Sequence, residues 1–277
     1  MKVKVAQHAG ICYGVERALK MALEAAESGK DVRTLGPLIH NPQAVADLRE
    51  GGVDVAASLE EASSGTLVIR SHGVAPAIIA DATAMGLDVV DATCPHVSKA
   101  HQAAEELKDG GYAVIIVGEA DHPEVEGIMA HAGGSALVVQ SAAELPSVLP
   151  GKRVGIVVQT TQSASRLCEV VDAVLPHVRE LRVFNTICSA TALRQRAAEE
   201  LARQVDVVVV VGGHNSGNTT RLYEICSNVN PRTHHVETAD ELDAAWFKGA
   251  QSVGVTAGAS TPGKQMRNVI EAIEALG

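Results

Sequence analysis

The sequence predicts an α/β protein of three pseudo-symmetric domains in a trefoil arrangement, and three observations predict it. Strand-length apolar runs alternate with runs of helical period from end to end, the pattern of parallel βαβ units. A cysteine recurs at one address, after a strand-like run and before a helix-like one: Gly10-Ile11-Cys12-Tyr13-Gly14, Asp91-Ala92-Thr93-Cys94-Pro95-His96 and Asn185-Thr186-Ile187-Cys188-Ser189. The spacing is domain-sized, with 82 residues from Cys12 to Cys94, 94 from Cys94 to Cys188, and 101 more through Gly277 back to Cys12 when the chain is closed into a ring. A pattern returning at this period is a repeat of whole structural units. The domains are therefore expected at 13–94, at 95–188, and at 189–277 completed by residues 1–12.

Each element follows from local pattern. Residues 2–7 alternate as an edge or closing strand, and the helix over 15–26 has apolar residues at 15, 18, 19, 22, 23 and 26, a one-sided stripe. Next come a strand over 31–35, the loop Gly36-Pro37-Leu38-Ile39-His40-Asn41, and a helix opened by Asn41 as N-cap and Pro42 at its first position. A short strand over 53–56, a strand over 66–70, the loop Ser71-His72-Gly73-Val74, a helix from Pro76 and a strand over 87–90 lead to Cys94. The second domain repeats the order: helix 97–107, strand 112–117, loop 118–127, short strand 136–139, strand 153–158, the loop Gln159-Thr160-Thr161-Gln162-Ser163, a helix reaching 175, and strand 181–184 into Cys188. The third has helix 190–202, strand 206–211, loop 212–218, helix 219–226, strands 233–236 and 252–256, the loop Ala257-Gly258-Ala259-Ser260-Thr261, and a last helix from Pro262. It lacks a closing strand of its own, and the strand over 2–7 is expected to supply it.

With 46% apolar residues but only 2% aromatics, Val, Ala, Ile and Leu must do the packing. A net charge of −10 excludes nucleic acid and anionic membrane as main partners, since both need a basic face. The opening residues lack the apolar core of an export signal, and the longest apolar run, 207–211, is far too short to cross a bilayer. Five cysteines without an export signal point to the reducing cytoplasm, where thiols more often serve metals or catalysis than disulfides.

In parallel α/β sheets ligands bind off the carboxyl ends of the strands. The repeat places six loops there: His40-Asn41, His122 with Glu124, and Asn215-Ser216 with Asn218; then Ser71-His72, Thr160-Thr161 and Ser260-Thr261. Each leads into a helix N-terminus and carries donors suited to anion oxygens. Glu124 stands beside these anion donors, where a carboxylate would repel an anion, so proton transfer is its expected role. Three thiolates meeting on a pseudo-threefold axis make a metal centre with one position left over, either zinc or an iron–sulfur cluster. No Cys-x-x-Cys pair is present, and ligands drawn singly from three domains favour a central iron–sulfur site. Cys168 and Cys226 lie inside helical patterns and are expected to be packing residues. His101, His131, His177, His234 and His235 fall on helices or peripheries as core or surface residues, and His96 and His214 flank the site loops without an assigned role.

The segments GICYGVERA, LIHNPQAV, SHGV, DATCP, DHPEVEG, QTTQS, TICSAT, HNSGNT and AGASTP resemble, in order and across the whole chain, the motifs of the LytB-type 4-hydroxy-3-methylbut-2-enyl diphosphate reductase family. The resemblance implies reductive dehydroxylation of that diphosphate to isopentenyl and dimethylallyl diphosphate, the last step of the non-mevalonate route to isoprenoids. It implies one 4Fe–4S cluster held by Cys12, Cys94 and Cys188 with an open iron, and a diphosphate held by His40, His72, His122, Ser216, Asn218 and Ser260. Glu124 and Thr160 become the proton path, and a reduced ferredoxin or flavodoxin the electron donor. Gly217 departs from the pattern, since many members carry serine there. Three other readings stand beside this one. A quinolinate synthase-like three-domain enzyme would favour arginine forks for its carboxylates, a zinc hydrolase with three cysteine ligands is distinguished by metal analysis, and a phosphate-binding protein would need neither the cysteines nor Glu124.

Overall fold

The computed structural model describes residues 1–276. Strand β1 (Lys2–Val5) is followed by two sets of four strands: β2 (Val32–Leu35), β3 (Val53–Ala56), β4 (Thr66–Ile69) and β5 (Asp88–Asp91), then β6 (Ala113–Val117), β7 (Leu137–Val139), β8 (Arg153–Val158) and β9 (Glu180–Phe184). Strands β10 (Val207–Val211), β11 (Thr233–Val236) and β12 (Ser252–Ala257) complete the set. They form three four-stranded sheets of order β3-β2-β4-β5, β7-β6-β8-β9 and β11-β10-β12-β1. Every pairing is parallel, and the topology is the same in all three. The N-terminal strand β1 pairs with β12 from Lys2↔Ser252 to Val5↔Val255, occupying the edge that β5 and β9 occupy in the other sheets.

Nine α-helices connect the described strands: α1 (Tyr13–Ala26), α2 (Pro42–Glu50), α3 (Pro76–Ala84), α4 (Pro95–Asp109), α5 (Pro123–His131), α6 (Ala164–Val174), α7 (Ser189–Ala202), α8 (Gly217–Val229) and α9 (Gly263–Ala275). The sequence pattern left residues 118–127 as one loop, but its second half is the opening of α5. Here His122 is the N-cap, its side chain accepting from the Glu124 N–H, and Pro123 sits where its missing donor costs nothing. Helices α1, α4 and α7 each begin at the residue after a cysteine.

The chain divides into two compact units, one of Met1–Glu16, Ile39–Asp47 and Ser189–Gly277, the other of Arg17–Leu38 and Leu48–Cys188. In the first, β10 is five consecutive buried valines, the mark of a central strand in a parallel sheet covered on both faces. Val207, Val209 and Val211 join the cluster containing Val269 and Ile273 of α9, whereas Val208 and Val210 join Ala198 and Ala202 of α7 and Leu222 of α8. That is the alternation a pleated strand imposes. In the second unit, Val114 and Ile116 pack with α4 and α5, while Ile115 and Val117 pack with Leu167 and Val170 of α6. Two glycines mark where helices lie on strands. A Cβ on Gly155 of β8 would stand 2.3 Å from Leu107 of α4, and one on Gly254 of β12 2.8 Å from Leu201 of α7. Among the described residues no helix is long and apolar enough to cross a membrane.

Candidate active site

The three cysteines of the repeated pattern sit in matching backbone settings. The amide of Cys12 donates to the Ala259 carbonyl, that of Cys94 to Ser71 and that of Cys188 to Thr160, each at 3.0 Å. The acceptor is in every case the loop following the neighbouring inner strand of the same sheet: β12, β4 and β8. The carbonyls of Cys12 and Cys94 accept from Glu16 and Ser98, so these two residues are fixed on both sides by the helix they precede. All three thiols are half-buried and outside any disulfide. Cys226 differs. Its thiol is buried, donates to the Ala198 carbonyl at 3.6 Å, and is pushed up to about 12 by burial and then by Glu199, which makes it a packing group rather than a thiolate ligand. Cys168 is exposed on α6, against the expectation that it packs.

Glu124 is only 2% exposed at the second position of α5. Its Oε1 accepts from the Thr160 backbone N–H at 2.6 Å and its Oε2 from the Thr160 hydroxyl at 2.9 Å. Burial raises its pKa to about 7, the Thr160 bonds pull the other way, and repulsion from Glu119 adds to the rise. Because an amide N–H occupies Oε1, the proton of the neutral acid belongs on Oε2, the oxygen facing the Thr160 hydroxyl. That hydroxyl is then an acceptor from the acid and free to donate its own hydrogen onward.

His122 accepts the Glu124 N–H at Nδ1 over 3.1 Å, which leaves its proton on Nε2 as a donor. The His72 ring stands edge-on to it at 5.4 Å between centroids. The second unit therefore brings His72, His122, Glu124 and Thr160 together, and it also holds Cys94 and Cys188.

The first unit holds Cys12, His40, Ser216, Asn218 and Ser260. Ser216 caps α8 by accepting from the Thr219 N–H at 3.3 Å, so its own hydroxyl hydrogen stays available. Asn218 is 6% exposed, yet neither its Oδ1 nor its Nδ2 has a hydrogen-bond partner. A buried amide left unpaired costs about 1–3 kcal/mol, and a ligand oxygen accepting from Nδ2 would relieve part of it. Asn41, grouped by sequence with the anion donors, is instead spent on structure: its Oδ1 accepts from the Ala44 N–H at 3.0 Å and its Nδ2 donates to Gln265 at 2.9 Å. Gln265 donates in turn to the Glu237 carbonyl.

Two residues went unassigned by pattern. The hydroxyl of Thr219 is buried without a partner in space kept open by glycines, since a Cβ on Gly258 would lie 2.2 Å from it and one on Gly212 2.7 Å. Gln159 is fully buried and accepts from the Glu119 N–H at 3.0 Å, holding the loop before α5 against the loop that carries Thr160. Thr219 lies in the same short polar run as Ser216 and Asn218, and Gln159 adjoins Thr160, so adjacency was the available signal.

Comparison with known proteins places relatives beside this geometry. The family described as LytB protein matches residues 3–274. A 4-hydroxy-3-methylbut-2-enyl diphosphate reductase of Geobacter sulfurreducens is 53% identical over 274 residues, covering 99% of this chain and 97% of the relative. One of the same description from Pelobacter propionicus is 53% identical over 262 residues, or 95% and 94% of the two chains. Among solved structures, an (E)-4-hydroxy-3-methyl-but-2-enyl diphosphate reductase, the terminal enzyme of the non-mevalonate pathway, is 44% identical with a TM-score of 0.72 and covers 99% of this chain and all of its own. The Plasmodium falciparum reductase is 25% identical with a TM-score of 0.90, covering 98% of this chain and 87% of its own.

Proposed function

The chain belongs to the LytB family, and from that membership we propose that it reduces 4-hydroxy-3-methylbut-2-enyl diphosphate to isopentenyl and dimethylallyl diphosphate. The reaction breaks the C–O bond of the allylic alcohol. Two electrons and one proton go to the allyl group, and a second proton turns the departing hydroxyl into water. The observation that carries the proposal is the Glu124–Thr160 couple, a buried acid with a pKa of about 7 whose proton faces a hydroxyl relay. A general acid works best with a pKa near the operating pH.

Cys12, Cys94 and Cys188 would hold a 4Fe–4S cluster with one iron free of protein ligands. The donor set suits it: thiols outside any disulfide, each one residue before a helix, with the same backbone hydrogen bond in three sheets. When bound, the cluster supplies the electrons and a Lewis-acidic iron for the hydroxyl. The chain's own residues do the rest. His122 offers an Nε2 hydrogen, Ser216 a hydroxyl hydrogen and Asn218 an unpaired amide to a diphosphate, together with His40, His72 and Ser260. Thr160 passes the Glu124 proton from Oε2 toward the leaving oxygen. We assign the three domains to 13–94, 95–188, and 189–277 with 1–12, and the electrons to a reduced ferredoxin or flavodoxin.

The test is protein purified without oxygen, assayed for iron, sulfide and zinc, then given the allylic diphosphate with a chemical reductant. Brown protein with one 4Fe–4S cluster per chain and both isopentenyl products is the expected result. Zinc without iron, or an intact cluster without turnover, overturns the proposal.

A further inference from the structure

His101 on α4 lies where the loop bearing His72 approaches the helix bearing Glu124, all within the second unit. It is 6% exposed, and its Nε2 is buried without a hydrogen-bond partner. Two glycines are shaped around it. A Cβ on Gly73, next to His72, would stand 2.5 Å from His101 Cε1, and one on Gly127 of α5 would stand 2.8 Å from Nε2. The Gly127 Cβ would also lie 3.7 Å from the His72 carbonyl, so turn, helix and ring meet at one point. On its other side the ring stacks on His131 at 4.2 Å and 16°, and His131 Nδ1 lies 2.7 Å from Glu105, one turn after His101 on α4. Both ends of α5 are thus tied down: Glu124 to Thr160 at its start, His131 to α4 at its finish.

We propose that His101 is a positioning residue, an uncharged ring wedged between the His72–Gly73 turn and α5, which seats the first turn of α5 so that Glu124 stays dry and aimed at Thr160. The proposal rests on Glu124 being the proton donor of the reaction above. Gly127 is three residues after Glu124 and so lies on the same side of α5. A ring pressed on Gly127 therefore braces the turn that carries the acid. The ring can serve as an uncharged spacer because burial, and then the neighbouring His131, lower its pKa to about 4, while Glu105 and Asp91 only partly offset this. Other titratable groups at this junction are Glu119 before α5, which raises the Glu124 pKa, His72 and His122, whose rings adjoin, and the Arg70–Glu126 pair, in which Arg70 also donates to the Gly73 carbonyl.

Removing the wedge lets water reach Glu124, and since burial is the main cause of its raised pKa, the pKa must fall toward 4.5. The experiment is an infrared titration of the Glu124 carboxyl in cluster-loaded protein, with Glu124→Gln identifying the band, beside the pH profile of kcat. His101→Ala and Gly127→Ala, the second forcing the ring out while improving helix propensity, should each lower the Glu124 titration and the alkaline limb of kcat by about one pH unit or more. His101→Phe, which keeps a stacked plane, should hold both near the parent. Leu107→Ala, a core truncation two turns further along α4, should lower stability and leave both unmoved. An unmoved titration in both His101→Ala and Gly127→Ala, or an equal shift in Leu107→Ala, overturns the proposal. Because the infrared titration needs no turnover, a parent that titrates as described but is inactive refutes the proposed reaction and leaves the positioning intact.

Discussion

Glu124→Gln separates the acid from its scaffold. Gln is isosteric with Glu, so its Oε1 still accepts from the Thr160 N–H and its Nε2 donates to the Thr160 hydroxyl in place of the acid proton. Geometry survives while the transferable proton is lost. General acid catalysis contributes about 100- to 10,000-fold, so kcat should fall by that factor, about 3–5 kcal/mol of barrier, with little change in KM. The same substitution has a stability signature. The folded pKa of about 7 lies above the ordinary value of 4.5, so the folded state holds this proton more tightly than the unfolded one, and stability drops as pH rises from 4.5 through 7. Fully ionised, the buried carboxylate costs about 3 kcal/mol, and a neutral glutamine costs none of it. The advantage of the variant over the parent should therefore grow by about 2 kcal/mol between pH 5.5 and pH 8. Anaerobic equilibrium denaturation of both proteins at the two pH values measures it. A gap that does not widen with pH, or turnover within a few-fold of the parent, refutes the assignment of Glu124 as a buried acid that donates its proton.

Thr160→Val keeps the backbone N–H on Oε1 but deletes the hydroxyl. It should lower kcat at least tenfold, about 1.4 kcal/mol, and move the alkaline limb of the pH profile upward, because the lost bond was lowering the Glu124 pKa. Cys94→Ser should abolish or destabilise the cluster, whereas Cys226→Ala should retain it at some cost in stability; iron content and visible absorption of anaerobic protein distinguish the two. Asn218→Leu removes an amide with two unpaired buried atoms, so melting should be unchanged or later, while KM for the diphosphate rises at least tenfold, about 1.4 kcal/mol of binding. Loss of stability with unchanged KM would make Asn218 a structural residue.

Much of this arrangement was legible in the chain because local pattern and tertiary role agree. Five valines in β10 and a cysteine ahead of each of α1, α4 and α7 need no tertiary information to be recognised. The start of α5 was not legible, because its cap is a histidine outside the usual Ser, Thr, Asp and Asn set and looks like any polar loop residue until its Nδ1 is seen on the Glu124 N–H. Asn41 was legible as a cap, but its second bond goes to Gln265, 224 residues away, which no local pattern contains. The function of His101 was invisible for the opposite reason. Its signal lies in two glycines distant in sequence, and absent side chains become informative only once the ring that fills their space is placed.

The symmetry of the chain sharpens what the acid is for. Helices α2, α5 and α8 each follow the first inner strand of a sheet, and their caps are Asn41, His122 and Ser216. Two residues past each cap stand Gln43, Glu124 and Asn218, one helical slot filled by amide, carboxyl and amide. The amide slots keep a buried polar atom without a partner, Oε1 of Gln43 and both amide atoms of Asn218, whereas the carboxyl slot is gripped twice by Thr160. The Asn218 amide nitrogen can donate to an anion without charge repulsion, whereas a carboxylate in the same slot would oppose one. A repeated fold thus provides three similar positions, and the chemistry comes from breaking the repeat once. The slot that receives the carboxyl is the one bonded by both the backbone N–H and the hydroxyl of Thr160. There burial, helped by repulsion from Glu119, keeps the acid protonated near neutral pH against both Thr160 bonds, which favour its ionised form.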